Sequence, residues 1–129
     1  MNYLKVAYDE NKKPFTKYPD DLINYLVKKF NLKTHNKKLL DIACGRGEFV
    51  HSFKKKGFDC YAFDGDQSYK KDLIKLGINF KKLYFKKKLP YKNNSFDLIF
   101  CKSFIEHIRE PDTLIKECYR ILKKNGVLI

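Results

Sequence analysis

Two glycines and two acids, set at the ends of short apolar runs, are the residues of this chain best suited to chemistry. Asp41-Ile42-Ala43-Cys44-Gly45-Arg46-Gly47 puts a carboxylate near the end of one run and follows it with a turn of small residues. Glycines there let a ligand approach the backbone closely, and the free N–H groups of a following helix point at it. Two ligand classes use such a turn, dinucleotides and adenosyl compounds. A dinucleotide fingerprint needs a third glycine, and counting from Gly45 that position holds Val50. Asp41 would also face a pyrophosphate, like charge against like, whereas an adenosyl ligand with a cationic ammonium and sulfonium would be favoured. Asp64 follows Gly47 by 17 residues, about where a carboxylate accepts hydrogen bonds from the vicinal hydroxyls of a ribose. Asp66 offers the same group two residues on.

Other reactive types carry less. His107 is the candidate catalytic residue, as a base for an acceptor hydroxyl, although a structural or orienting role is the favoured reading. Cys44 could be a nucleophile, but its place in the turn asks only for a small residue. The four cysteines, Cys44, Cys60, Cys101 and Cys118, form no C-x-x-C pair, so they suggest neither a zinc site nor a disulfide framework and read as reduced, mostly buried thiols. Glu106 and Asp112 fit the start of a helix better than a metal site. His35 and His51 read as surface residues.

Alternating strands and helices must position these groups. Ile23, Leu26, Val27 and Phe30 fall at i, i+3, i+4, i+7 and predict a helix over Asp20–Phe30. Lys38–Ala43 reads as a first buried strand, and Glu48–Lys56, stopped by Gly57, as a helix. Phe58–Phe63 is a second strand, Ser68–Leu76 a helix stopped by Gly77, and Ile78–Phe85 a third strand. Phe96–Cys101 is a fourth strand, and Asp112–Lys124, opened by Pro111 and closed by Asn125-Gly126, a last helix. Val127–Ile129 begins a fifth strand. This alternation predicts a doubly wound α/β domain, Rossmann-like, with a mostly parallel sheet in the order 3-2-1-4-5. Ligands of such sheets bind beyond the carboxyl ends of the strands where strand order reverses, which the glycine turn marks.

At 129 residues the chain fits one domain, divided into an N-terminal helix and lid region over 1–36 and an α/β core over 37–129. Met1–Lys17, with Tyr3, Tyr8, Phe15 and nearby Tyr18, is the candidate lid. Apolar residues at 43% can build a core. No apolar run approaches the ~20 residues of a membrane span, and the N-terminus lacks a secretory signal, so no membrane association and a cytoplasmic location are expected. The formal charge of +13 invites a nucleic-acid partner. Yet only Arg46, Arg109 and Arg120 of the 28 basic residues are arginine, and a lysine-rich solvated surface explains the count as well. Phe80–Lys88 interleaves aromatics with cations, as single-strand binders do, but also fits a strand with a lysine-protected edge.

Taken together, these motifs resemble the class I S-adenosylmethionine-dependent methyltransferases, of the small-molecule group that includes the type 11 and ubiquinone-biosynthesis-like enzymes. The glycine turn is similar to that family's cofactor motif and Phe63-Asp64 to its ribose-binding acid. Leu89–Ile99, Phe104–Ile108 with Pro111-Asp112, and Glu117–Gly126 resemble the segments that follow. The resemblance implies S-adenosylmethionine as cofactor, Asp41 near its ammonium, and Ala43, Cys44, Gly45 and Gly47 around its methionine part. It further implies Asp64 on the ribose, Gly65, Tyr84 and Phe85 beside the adenine, and Lys102 or Ser103 on the sulfonium side. The acceptor it implies is a small molecule. Two departures stand out. No acid lies between Asp72 and Asp97 to hold the adenine amino group, and the family's seven-stranded sheet is represented only as far as its fifth strand. A bare fifth-strand edge would suit a dimer contact or a partner chain. RNA methylation, a catalytically silent subunit and a nicotinamide-dependent oxidoreductase are the rival readings.

Overall fold

The computed structural model describes residues 14–129. A five-stranded sheet in the order β3-β2-β1-β4-β5 forms the frame, and every pairing in it is parallel. Helix α1 (Tyr18–Lys29) precedes β1 (Lys38–Ile42), α2 (Glu48–Lys55), β2 (Asp59–Asp64), α3 (Lys70–Lys75) and β3 (Asn79–Lys82). A long connection then leads to β4 (Phe96–Phe100), a 3₁₀ turn (Ile105–His107), α4 (Pro111–Ile121) and β5 (Leu122–Leu128).

Strand side chains alternate faces, so adjacent residues of β1 feed two separate cores. Leu39 joins Ile23, Val50, Phe53 and Leu73 beneath α1, α2 and α3. Leu40 and Ile42 join Phe63, Ile99, Leu114 and Cys118 beneath α4. Burial on both sides explains why β1 and β4 read as continuous apolar runs rather than alternating ones. On the first face Asp20 of α1 accepts hydrogen bonds from Ser52 at 2.6 Å and Lys55 at 2.7 Å, both on α2.

The connection over residues 83–95 contains no helix, yet it covers the second face. Leu89, fully buried, enters that core with Leu83, Phe85 and Tyr91 at its margin. Arg120 on α4 holds the connection by donating to the carbonyl oxygens of Leu89 (2.9 Å) and Tyr91 (2.8 Å) and to the Asn93 side chain. Asn94 and Ser95 in turn donate their N–H groups to the last-turn carbonyls of Arg120 and Ile121, which satisfies part of the helix's open C-terminus.

Most boundaries shift from those expected by one or two residues, and three elements depart in ways that matter. The third strand stops at Lys82 rather than Phe85, because Leu83 and Phe85 turn onto the second core instead of continuing an edge strand. The third helix spans only Lys70–Lys75; Ser68 stands before it, with its N–H bound to Asp66. The last helix ends at Ile121, and Asn125-Gly126 lies within β5. There the ladder passes from Phe96↔Leu122 to Leu98↔Val127, so Lys123–Gly126 is extra chain absorbed as a bulge. A Cβ on Gly126 would come within 2.9 Å of the Lys123 carbonyl oxygen, which is why glycine suits that fold-back.

Candidate functional site

Above the carboxyl ends of β1, β2 and β4 the chain makes a tight, strained turn. Ala43, Gly45 and Gly47 all take positive φ, at 56°, 59° and 87°. For alanine that conformation costs about 1–2 kcal/mol. Cross-strand bonds hold it: the Cys44 N–H donates to the Phe63 carbonyl oxygen at 3.0 Å, and the Gly45 N–H to Asp64 Oδ2 at 2.8 Å. Asp64 is 3% exposed, and its Oδ1 accepts the Asp66 N–H at 2.8 Å. One carboxylate thus fastens the turn after β1 to the loop after β2. Gly47 is required twice over, since a Cβ there would also lie 2.2 Å from Leu73 Cδ2, where α3 packs against the turn.

Two adjoining cavities open around this turn. The smaller, about 180 Å³, is lined by Asp41, Gly45, Gly47, Phe49, Phe100 and Lys102 among others. The larger, about 700 Å³, runs past Asp64 to Ser68, across Leu83 to Phe85, and along Ser103, Phe104, His107 and Ile108. Ala43 and Ser103 line both cavities and form the waist between them. Ser103 also has positive φ, 59°, so both walls of the waist carry backbone strain of the kind that gathers at ligand sites.

In the smaller cavity Asp41 is 3% exposed and has no hydrogen-bond or ion-pair partner among the described residues. Burial, and secondarily the nearby Asp64, hold its carboxyl well above the ordinary carboxylate range. A desolvated acid without a partner favours a cation, and it opposes a pyrophosphate. The neighbouring charges are differently disposed. Arg46 is paired with Glu48 and stacked over Phe15, 5.0 Å from the ring centre. The Lys102 ammonium lies 5.0 Å over the ring of Phe49.

The larger cavity has a polar side and a flat apolar side. Asp66 Oδ1 accepts the Ser68 N–H at 2.7 Å, whereas its buried Oδ2 has no partner among the described residues. That oxygen is a second carboxylate acceptor beside Asp64. Tyr84 rests on Gly65: a Cβ on the glycine would stand 2.3 Å from the ring's Cε1. Tyr84 is nonetheless 69% exposed, leaving much of the ring open to a ligand. His107, with a 71% exposed side chain, places Nε2 3.9 Å from Glu106 Oε1 at the mouth.

Every residue singled out for the site from sequence lines one or both cavities. Phe49, Phe100, Phe104 and Ile108 were missed. Their apolar character marks them as core, and only the end of the sheet turns them toward a cavity. The candidate lid is different. Residues 1–13, including Tyr3 and Tyr8, lie outside the described residues. Phe15 lines a separate depression with Arg46, Tyr69 and Leu73, and Tyr18 begins α1 edge-on to Phe49. His51, expected on the surface, is half-buried, its ring centre 5.9 Å from that of Phe15. Burial also pushes the Cys44 thiol far up, Cys101 to about 11 and Cys60 and Cys118 to about 12, so none is a thiolate nucleophile near neutral pH. Among the described residues no group of His, Cys, Asp or Glu could hold a metal ion, and no helix is long and apolar enough to cross a membrane.

A family model described as a methyltransferase domain matches residues 40–129. The ubiquinone biosynthesis O-methyltransferase of Pelagibacter ubique is 29% identical over 120 residues, covering 80% of this chain and 47% of that protein. Its counterpart from Pasteurella multocida is 27% identical over 121 residues, covering 82% and 50%. The chain therefore spans about half the length of the curated relatives it matches. Among solved structures, a putative S-adenosyl-L-methionine-dependent methyltransferase from Methanococcus maripaludis superposes with a TM-score of 0.82 at 20% identity, over 97% of this chain and 60% of that one. A SAM-dependent methyltransferase from Aquifex aeolicus gives 0.69 at 23% identity, over 98% and 69%. At such identities these two likenesses concern the fold.

Proposed function

Because the chain belongs to the class I S-adenosylmethionine-dependent methyltransferases, whose domain model spans residues 40–129, we propose that it binds S-adenosylmethionine across the two cavities and methylates a small-molecule acceptor by direct displacement. The observation that carries this reading is Asp41, a buried carboxylate lining the smaller cavity without a partner among the described residues. Burial disfavours its charged form, so a cationic group brought beside it stabilises the carboxylate and displaces the proton. The cofactor supplies a methyl carbon made electrophilic by the positive sulfur that carries it.

The chain's own residues bind and orient. Asp41 accepts the tail ammonium, and the Ala43–Gly47 turn leaves room for the methionine part, Cys44 serving there as a small residue. Asp64, which accepts the Gly45 and Asp66 N–H groups, meets the ribose hydroxyls, with Asp66 Oδ2, without a partner among the described residues, beside it. Gly65, Tyr84 and Phe85 flank the adenine, an apolar contact in place of an acid. Ser103 stands at the waist, and Phe104 and Ile108 shield the mouth from water. His107, in the lining of the larger cavity, would take a proton from an acceptor hydroxyl. Holding the nucleophile in line supplies much of the rate of such a displacement, so a weak base suffices.

Calorimetric titration with S-adenosylmethionine and S-adenosylhomocysteine tests the reading, with Asp64→Ala as control. Micromolar affinity that drops at least tenfold in the variant is expected. A folded chain that binds neither would favour a silent subunit. RNA as the acceptor is favoured by one observation, the exposure of Lys81, Lys82, Lys86, Lys87 and Lys88, of which Lys82 lines the larger cavity. RNA binding that weakens steeply with salt would support it, and salt-insensitive or absent binding would remove it.

A further inference from the structure

The lining of the smaller cavity includes both an acid and a lysine without ion-pair partners among the described residues, and this combination carries an inference that rests on the cofactor reading above. Asp41 stands at its floor on β1, and Lys102 lines it from the segment that leaves β4. The Lys102 ammonium lies 5.0 Å over Phe49, which lines the same cavity. No acid pairs with Lys102 among the described residues. Glu48, the other carboxylate of the lining, is already engaged by Arg46.

We propose that Lys102 is a specificity-determining residue that takes the carboxylate of the ligand's amino-acid tail while Asp41 takes its ammonium, so that the smaller cavity selects a zwitterion. Asp41 alone would accept any amine. A lysine in the same lining adds a demand for a negative group at the same end of the ligand, and a charge-assisted bond to a carboxylate outweighs the exposed ring contact that now holds the ammonium. The same cation would repel a sulfonium, so Lys102 belongs with the tail, and the reacting centre falls to the waist at Ala43 and Ser103. Phe49 keeps the lysine at the rim, which lowers the ordering cost of engaging it.

Titration of the full chain with S-adenosylhomocysteine and with its decarboxylated analogue, which keeps the adenosine, thioether and amine, tests this directly. The wild-type chain is expected to prefer S-adenosylhomocysteine by about tenfold. Lys102→Met removes that preference by weakening S-adenosylhomocysteine alone, and Lys102→Arg retains it. Asp41→Asn weakens both ligands alike, because both carry the amine. A wild-type chain that binds the two equally, or a Lys102→Met chain that keeps the preference, overturns the inference and leaves the cofactor reading standing. Binding of neither ligand by the wild-type chain overturns both.

Discussion

Glu117 and Asp41 are both substantially buried acids in the same small domain, and their surroundings are opposite. Glu117, on the second face of the sheet, receives Arg120 through both carboxylate oxygens, at 2.7 and 2.9 Å, and the Leu89 N–H at 2.7 Å. Arg120 spends its remaining donors on Leu89, Tyr91 and Asn93. The Arg120 hydrogen bond, aided by the Leu89 N–H, lowers the Glu117 carboxyl below its ordinary value against the cost of burial. Asp41 has no such partner among the described residues and is shifted the other way. The first arrangement holds a helixless connection in place. The second leaves a buried acid with no counter-charge among the described residues, so ionising it is costly and a bound cation would offset that cost.

The contrast can be broken from either side. The largest effect is expected from Arg120→Met, which strips Glu117 of its counter-charge and two loop carbonyls of their donor. It should destabilise the chain by about 3 kcal/mol, read as a fall in melting temperature of roughly 10 °C. Asp41→Asn should weaken S-adenosylhomocysteine by on the order of a hundredfold, about 2.7 kcal/mol, in calorimetry. The same variant should melt no lower than wild type. A chain in which Asp41→Asn is markedly destabilised would place that acid in the structural class with Glu117.

The gentlest probe is pH, where the two acids carry opposite signs. Glu117 has a lowered folded pKa, so its stabilisation is present above the ordinary carboxylate range and is lost as pH falls through that range. Asp41 has a raised folded pKa, so the folded chain holds the extra proton. Its contribution therefore declines as pH rises from the ordinary value of 3.8 toward the folded one. Affinity for an ammonium ligand rises over the same interval, by at most about tenfold per pH unit, and binding releases a proton. Titrations in buffers of different ionisation enthalpy should detect that proton, and Asp41→Asn should abolish the signal. Ligand affinity independent of pH across the interval would argue that Asp41 is already ionised and does not meet the ammonium.

How the two regions were foreshadowed in the sequence also differs. Asp41, Gly45, Gly47 and Asp64 were legible because a strand end, a tight turn and a second strand end are local features with few permitted residue types. The clamp was not legible. Arg120 reaches Leu89 across 31 residues and Asn93 across 27, and one arginine on a helix looks like any solvated cation until a chain segment is laid beneath it. The third strand was drawn too long for the same reason. Leu83 and Phe85 have the apolar, aromatic character of a strand, and only the vacancy on the second face drew them off the edge.

The sequence by itself determined the alternation of strands and helices, the parallel order around the glycine turn, and the residue types at the strand ends. Those follow from periodicity and from conformations that few side chains tolerate. Tertiary structure alone decided which charges have partners. It left Asp41 beside a cavity without a partner among the described residues while saturating Glu117, it laid Tyr84 on Gly65, and it brought Lys102 into the same cavity lining as Asp41. Pairing and burial depend on which segments meet in space, and spacing along the chain does not specify those meetings.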